Sequence, residues 1–371
     1  MTSDSQHRAF RRGGLPAGFL LALSLSACVR TVPVESVMTN NPLLADPRPW
    51  CIGRLLVDRP ARSGLSYERY EYWGDKIDIA RDVSPGTFQH KVDSRESELR
   101  ANKRIISIPL TDEMMEKGDN GLHKSDVPWL EQAVSPTPNS RLLIFKDLAE
   151  VDYPFTTEGY VLAGSTMLTM KFDVLRSSGI QKFTQLTTDE YKDITYRDDW
   201  TVPTERGFCI PGALIGGPSR NSELAEQTIV LHPGRASAFV IKMRDAVDVD
   251  QQSSLLKTLP DLRQKLRAQG SVQILRQGKR QVAGMEAEEV LFSIRKGGSQ
   301  LYRFYLLAPG VHHSMAQPHT EIQLRLGSAP TDAEKDRGVK PEAVSSLVDE
   351  AGAIQAWDAL LNSIRLRPGA I

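Results

Sequence analysis

Three cysteines are the residues best placed to do chemistry in this 371-residue chain, and they are of two kinds. Cys28 ends the phrase Leu25-Ser26-Ala27-Cys28, which closes an apolar run that starts at Leu15 behind Arg8, Arg11 and Arg12. A basic lead, a short apolar stretch and then small residues make an export signal. The 13 residues from Leu15 to Ala27 are too few to span a bilayer, which takes about 20. A cysteine directly after Ser-Ala fits the lipobox pattern, in which the thiol is acylated and becomes the first residue of the mature chain. Residues 1–27 are therefore expected to be a lipoprotein signal peptide, and Cys28 the lipidation site. Val29 rather than Asp stands next to it, so the inner-membrane retention signal is absent. The expected location is the periplasm, with the anchor in the inner leaflet of the outer membrane. Several acyl chains on one cysteine hold firmly where a single chain would be marginal.

Cys51 and Cys209 are the remaining pair, and in an oxidising compartment an even pair suggests a disulfide. Two buried free thiols are the alternative that the sequence leaves open. Both cysteines sit in apolar strand patterns, which bury a thiol and raise its pKa, so neither reads as a nucleophile.

The seven histidines are His7, inside the signal, and His90, His123, His232, His312, His313 and His319. His312-His313 with His319 and Glu321 form the one metal candidate, in a loop where side chains could converge. No helical spacing orients them, and the bland reading is solvated loop histidines, so no metal site is assigned. Ala163-Gly164-Ser165-Thr166 is the nearest phrase to a serine nucleophile elbow and lacks its second glycine. There is no phosphate-binding loop, dinucleotide fingerprint or His-Glu-x-x-His. No catalytic residue and no cofactor are expected.

Lys plus Arg and Asp plus Glu balance at 46 each, so no net field recruits nucleic acid. No later segment approaches 18 continuous apolar residues. The reading is a binding protein, not an enzyme.

The elements that must carry it begin after a tether, residues 28–49, where Pro33, Pro42, Pro47 and Pro49 stand among small and polar residues. At 5–6 Å times the square root of its length, such a segment typically spans about 25 Å. A repeat comes next. Cys51-Ile-Gly-Arg-Leu-Leu-Val-Asp-Arg-Pro60 aligns without a gap on Cys209-Ile-Pro-Gly-Ala-Leu-Ile-Gly-Gly-Pro218, each behind an aromatic, Trp50 or Phe208. Each copy reads as one short buried strand ending at proline. The copies lie 158 residues apart. This predicts two α+β domains, residues 50–202 and 203–371, with Val202–Gly207 as linker. A chain of this length usually needs more than one hydrophobic core.

In the first half, Arg69–Arg81 reads as a strand broken at Gly74-Asp75, and Lys91–Arg104 as a solvated charged helix. Arg141–Lys146 reads as a short strand, and Ser165–Val174 alternates strictly. In the second, Thr228–Val230 and Ala238–Met243 are strands. Leu255, Leu259, Leu262 and Leu266 fall at helical spacing, with Pro260 starting or kinking that helix and Gly270 ending it. Ala287–Arg295 and Gln300–Leu307 bracket a hairpin turn at Lys296–Ser299, and Thr320–Leu326 adds a strand. Ile354, Trp357, Leu361 and Ile364 make one face of a closing helix. Antiparallel strands followed by helices give α+β, twice over.

Several phrases then resemble a known family: Trp50-Cys51-Ile52-Gly53-Arg54 with Asp58 and Pro60, Pro203-Thr204-Glu205 before Gly207-Phe208-Cys209, and Trp357 through Ser363-Ile364-Arg365-Leu366-Arg367-Pro368. The chain looks like the type VI secretion lipase immunity lipoproteins, with Arg59 departing from the small or apolar residue expected before Pro60. The resemblance implies two similar domains, each an antiparallel sheet with flanking helices, arranged as a clamp. It implies a cognate phospholipase effector as partner, neutralised to prevent self-intoxication, with the membrane held through the N-terminal lipid. It assigns no effector-binding residue. A structural or assembly lipoprotein of the outer membrane is the second reading, and an envelope enzyme the third.

Overall fold

The computed structural model describes residues 41–108, 111–118, 123–148 and 154–371. Cys28, the signal peptide and the tether up to residue 40 lie outside the described residues; residues 41–49, expected as tether, are instead folded, with Leu43 buried in the core and a strand starting at Pro47. Within residues 40–371 the chain forms one compact unit.

The first half runs β1 (Pro47–Ile52), β2 (Leu55–Pro60), β3 (Gly64–Tyr72), β4 (Asp75–Ala80), α1 (Pro85–Ala101), β5 (Lys103–Ile108), α2 (Asp112–Glu116), β6 (His123–Pro128), β7 (Leu130–Val134), β8 (Ser140–Phe145), β9 (Phe155–Ala163), β10 (Thr166–Leu175), α3 (Ile180–Lys192) and β11 (Ile194–Tyr196). The second runs β12 (Gly207–Ile210), β13 (Ala213–Gly216), β14 (Leu224–Val230), β15 (Ser237–Arg244), α4 (Leu259–Arg267), β16 (Ser271–Val282), β17 (Met285–Lys296), β18 (Ser299–Ala308), β19 (His319–Leu326), α5 (Asp332–Asp336), α6 (Pro341–Val344), α7 (Glu350–Ser363) and β20 (Arg365–Leu366).

Local chemistry accounts for the boundaries. Ser84 caps α1 by accepting from the Thr87 amide, with Pro85 at the first helical position. Asp349 caps α7 by accepting from the Gly352 amide. Gly297 and Gly298 both have positive φ and close the β17–β18 hairpin in the two-residue turn that needs it. Pro260 starts α4 rather than kinking it.

Three sequence expectations are corrected. Each cysteine copy is a hairpin and not one strand, because Gly53-Arg54 and Pro211-Gly212 turn the chain in the middle of the repeat. Arg69–Arg81 is likewise a hairpin, turned at Trp73-Gly74 with both φ angles positive. The charged helix starts earlier and is anchored, since Phe88, Val92 and Leu99 are buried. A window opening at Lys91 leaves out Phe88 and so understates that apolar stripe.

Twelve strands form one antiparallel sheet in the order β16-β17-β18-β19-β15-β14-β3-β4-β10-β9-β8-β7. Replace each strand by its counterpart in the other half and the order reads the same from either end. At the centre, β14 pairs antiparallel with its own counterpart β3, from Leu224 opposite Glu71 to Val230 opposite Gly64. Equivalent strands that pair antiparallel lie about a local two-fold axis. The small sheets obey the same relation. β20 completes β1–β2, and β11 completes β12–β13, so each half lends its last strand to the other.

Alternation decides the layers. On β8, Leu143 and Phe145 face a cluster with Phe88, Val92 and Leu99 of α1. Leu142 and Ile144 face the opposite way, into a core that also holds Phe239, Phe304 and Trp357 from the second half. Val290, Phe292 and Ile294 of β17 pack with Leu266 of α4 on the helix side of the sheet. The expectation of a separate core per domain is therefore corrected: the main core is shared. Pairing β14 with β3 makes one sheet, and one sheet face lines one core.

Candidate functional site

The phrases that carry the family resemblance meet at the junction of the two halves. Cys51 and Cys209 stand there as a disulfide, S–S 2.07 Å and Cα–Cα 5.9 Å. The bond joins equivalent residues of the repeat, which a local two-fold axis brings face to face. Beside it Gly53 and Cys209 exchange backbone hydrogen bonds, each amide donating to the other's carbonyl at 3.0 and 2.7 Å.

Three buried arginines fasten the junction. Arg54 donates from Nε and Nη2 to Glu223 at 2.8 and 2.6 Å and also reaches the carbonyls of Pro218 and Ala370. Arg367 donates to the carbonyls of Pro203, Glu205 and Gly207. Arg197 donates to those of Asp199, Thr201 and Ile210. Arg197 and Arg367 are counterparts, each in the phrase Ile-x-x-Arg after a long helix (Ile194, Ile364). The sequence reading missed Arg197 and Glu223; that repeated phrase is the signal that finds the first. Burial lowers the pKa of both Arg197 and Arg367. A guanidinium stays charged there because carbonyl oxygens accept from its Nη1 and Nη2.

Arg59, the departure before Pro60, is accounted for by two indoles. Its guanidinium lies 3.7 Å from the centroid of Trp50 and 4.6 Å from that of Trp200. Burial brings its pKa down to about 10. Trp50 Nε1 donates to Gln227, whose amide donates to the Tyr70 hydroxyl. Asp58, also in the matched phrases, pairs with Arg365 at 3.0 Å, and its amide donates to Ser363. The family-like residues thus hold strands and halves together.

The metal candidate does not converge. His319 is buried on β19, with Nε2 3.3 Å from Glu321 and Nδ1 3.5 Å from Asp250. His312 faces Asp248 at 3.1 Å, His313 faces Asp245 at 3.7 Å, and their rings stack at 3.8 Å. Among the described residues no group of three metal-ligating side chains forms. Ser165 sits in an exposed β9–β10 turn, His232 contacts its neighbour's carbonyl, and His90 is exposed on α1.

Two carboxyls were not singled out in the sequence. Burial pushes Asp75, just past the β3–β4 turn, up to about 7. Burial, with the Asp75 charge next, pushes Glu190 on α3 up to about 8. Arg220 stands near, its guanidinium 5.2 Å from the Trp73 ring.

The parts that stand outside the two-fold scheme are surface. The first half carries a two-stranded ribbon, β5–β6, with α2 at its tip and Ile105 and Met115 exposed. Arg104 fastens its base to the carbonyls of Pro128, Trp129 and Lys146. The second half carries two long loops, before α4 and between β18 and β19. Such an arrangement offers a rigid scaffold with unequal appendages.

Similarity to known proteins divides along the same two halves. Residues 48–197 match the model of the Tle cognate immunity protein 4 N-terminal domain, and residues 201–369 that of the C-terminal domain. Among solved structures, the apo immunity protein TplEi of the type VI secretion system of Pseudomonas aeruginosa is 22% identical, with a TM-score of 0.68 over 88% of this chain and 99% of that one. A Tle4–Tli4 complex contains a chain 22% identical, with a TM-score of 0.70 over 87% and 98%. TplEi bound to an "L" peptide is 20% identical, with a TM-score of 0.66 over 88% and 99%. These likenesses establish the fold. Compared by sequence with curated proteins, the chain matches none.

Proposed function

The chain belongs to the Tle cognate immunity protein 4 family, and we propose that it binds and neutralises a type VI secreted phospholipase effector from the periplasmic side of the outer membrane. The observation that carries the reading is the pair of family models, which together span nearly all the described chain. The role is that of a non-enzymatic inhibitor. A partner is blocked by occupancy, and occupancy needs a surface that does not yield. The shared core, the exchanged strands and the disulfide support that requirement. We read the two halves as one clamp, with appendages unequal because a single effector chain has no two-fold axis of its own. An interface of this kind needs on the order of 1,000 Å² or more.

Export and anchoring rest on the Leu25-Ser26-Ala27-Cys28 phrase. A lipid address puts the inhibitor where a phospholipase finds its substrate.

The test is phospholipid hydrolysis by the type VI secreted phospholipases of the source organism, each titrated with the full chain in detergent. Inhibition complete near one equivalent is expected. No inhibition at large excess, or turnover by the chain alone, defeats the reading. Palmitate labelling of Cys28→Ser should vanish if Cys28 carries the lipid; labelling as strong as the unaltered chain's would refute the anchor.

A further inference from the structure

The two-fold scheme gives a way to separate scaffold from specialisation. Between β4 and α1 the first half uses Arg81–Ser84, whereas between β15 and α4 the second uses Asp245–Thr258. Between β9 and β10 it needs only Gly164-Ser165, whereas between β18 and β19 the second uses Pro309–Pro318. Since the shorter connections suffice to close the fold, the longer ones are not there to close it.

These two loops are clasped to each other. Ala246 and His312 form a parallel backbone bridge. Asp248 meets His312 at 3.1 Å, and the Gln251 amide donates to the Gly310 carbonyl at 3.2 Å. His313 holds φ at 59°, uncommon for a residue with a side chain, and is stacked on His312. A clasped pair of loops would be expected to turn its apolar residues inward. Here Val249 is 67% exposed, Val311 48% and Val247 44%. Val311 lies between two of the clasp points, and Val247 and Val249 flank Asp248, whose carboxylate is almost fully exposed.

Open cavities flank the same segment. One, of about 270 Å³, runs beside Gln251, Ser254 and Lys257. The other, of about 340 Å³, lies between Asp250, Leu255, Tyr305 and His319. Exposed apolar side chains gathered on one surface element and rimmed by polar groups mark interaction sites. Three β-branched side chains also lose little rotamer freedom when covered.

We propose that the clasped loops, with Val247, Val249 and Val311 around Asp248, are a docking surface for the effector, receiving an aliphatic segment that carries a lysine or arginine. The proposal rests on the inhibitor reading above and names the part of the surface that reading leaves unassigned. The valines need an apolar cover, and the Asp248 carboxylate, 90% exposed beyond its contact with His312, can take a cation on its open side. An acidic or wholly polar partner segment would leave Asp248 opposed or the valines wet.

The experiment measures, by calorimetry, affinity of the full chain in detergent for the type VI secreted phospholipase that it inhibits in the hydrolysis test. V249D/V311D should weaken binding at least 100-fold and D248N, which removes the charge and keeps a polar group facing His312, at least tenfold. H90D, at an exposed position of α1 outside the appendages, should stay within threefold. All four side chains are exposed, so the unfolding temperature should not move, and its constancy separates lost contact from lost fold. If the unaltered chain does not bind the lipase, the inhibitor reading itself fails. If it binds and V249D/V311D binds within threefold of it, only the docking surface fails. The surface is also overturned if V249D/V311D abolishes self-association, or release from anionic vesicles, while lipase affinity is unchanged.

Discussion

Cys51–Cys209 is the residue pair on which the junction turns. In the chain-entropy account, closing a loop of 158 residues stabilises by about 5 kcal/mol, less whatever strain the native geometry carries. The C51S/C209S variant is expected to lose several kcal/mol in denaturant unfolding and still fold, because the backbone pairing beside the bond remains. Unreduced protein should show no free thiol from these two positions by mass spectrometry. Asp75 and Glu190 act in the opposite direction. Their folded pKa values, raised to about 7 and about 8, exceed the ordinary carboxylate range. The folded state therefore binds protons more tightly than the unfolded chain between about pH 4 and pH 8, and stability from these groups falls as pH rises through that window. D75N/E190Q should raise the unfolding temperature at pH 8 by about 2–5 °C and hardly at all at pH 4, as calorimetry across pH would read. An equal gain at both pH values would mean that ionisation is not the cause.

At the scale of elements, strand exchange is the feature with consequences. β20 is only two residues long, and its pairing with β2 is Leu55 opposite Leu366 and Leu56 opposite Arg365. So short a strand holds its place through the adjoining residue, Arg367, whose Nη1 and Nη2 donate to three carbonyls. R367A leaves those acceptors buried and unpaired, at about 1–3 kcal/mol for the first lost partner. Loss of about 3 kcal/mol in denaturant unfolding is expected, with R367K recovering little because an ammonium does not match the fork. R197A should behave similarly if the two-fold relation holds for energies as well as for geometry. A change under about 0.5 kcal/mol in both variants, the usual scatter of inconsequential substitutions, would show that the strands stay without their arginines.

For the molecule as a whole, the shared core predicts that the halves are not independent. Fragments 41–202 and 203–371 each lack a strand that the other supplies, and each exposes the β3 or β14 edge of a twelve-stranded sheet. Open edges of that length pair with whatever is at hand. Each fragment alone is expected to aggregate or remain unfolded by circular dichroism, and co-expression should yield a soluble complex held by the disulfide. A fragment that unfolds cooperatively and alone would show that the core divides.

The sequence by itself determined the α+β class, the repeat around each cysteine and the absence of a catalytic motif, because these are local: periodicity, spacing and residue type are legible one window at a time. It also carried the long strands, since alternation in Ser165–Val174 or Thr320–Leu326 needs only the pleat. It withheld everything that depends on which strand lies beside which. The repeat revealed two copies but not that they face each other across an axis, and so neither the single core nor the exchange of β11 and β20 could be read. Asp75 and Glu190 look like surface carboxylates in the chain; only packing removes their water. Val247, Val249 and Val311 are apolar side chains whose exposure no spacing announces; only the tertiary structure shows it.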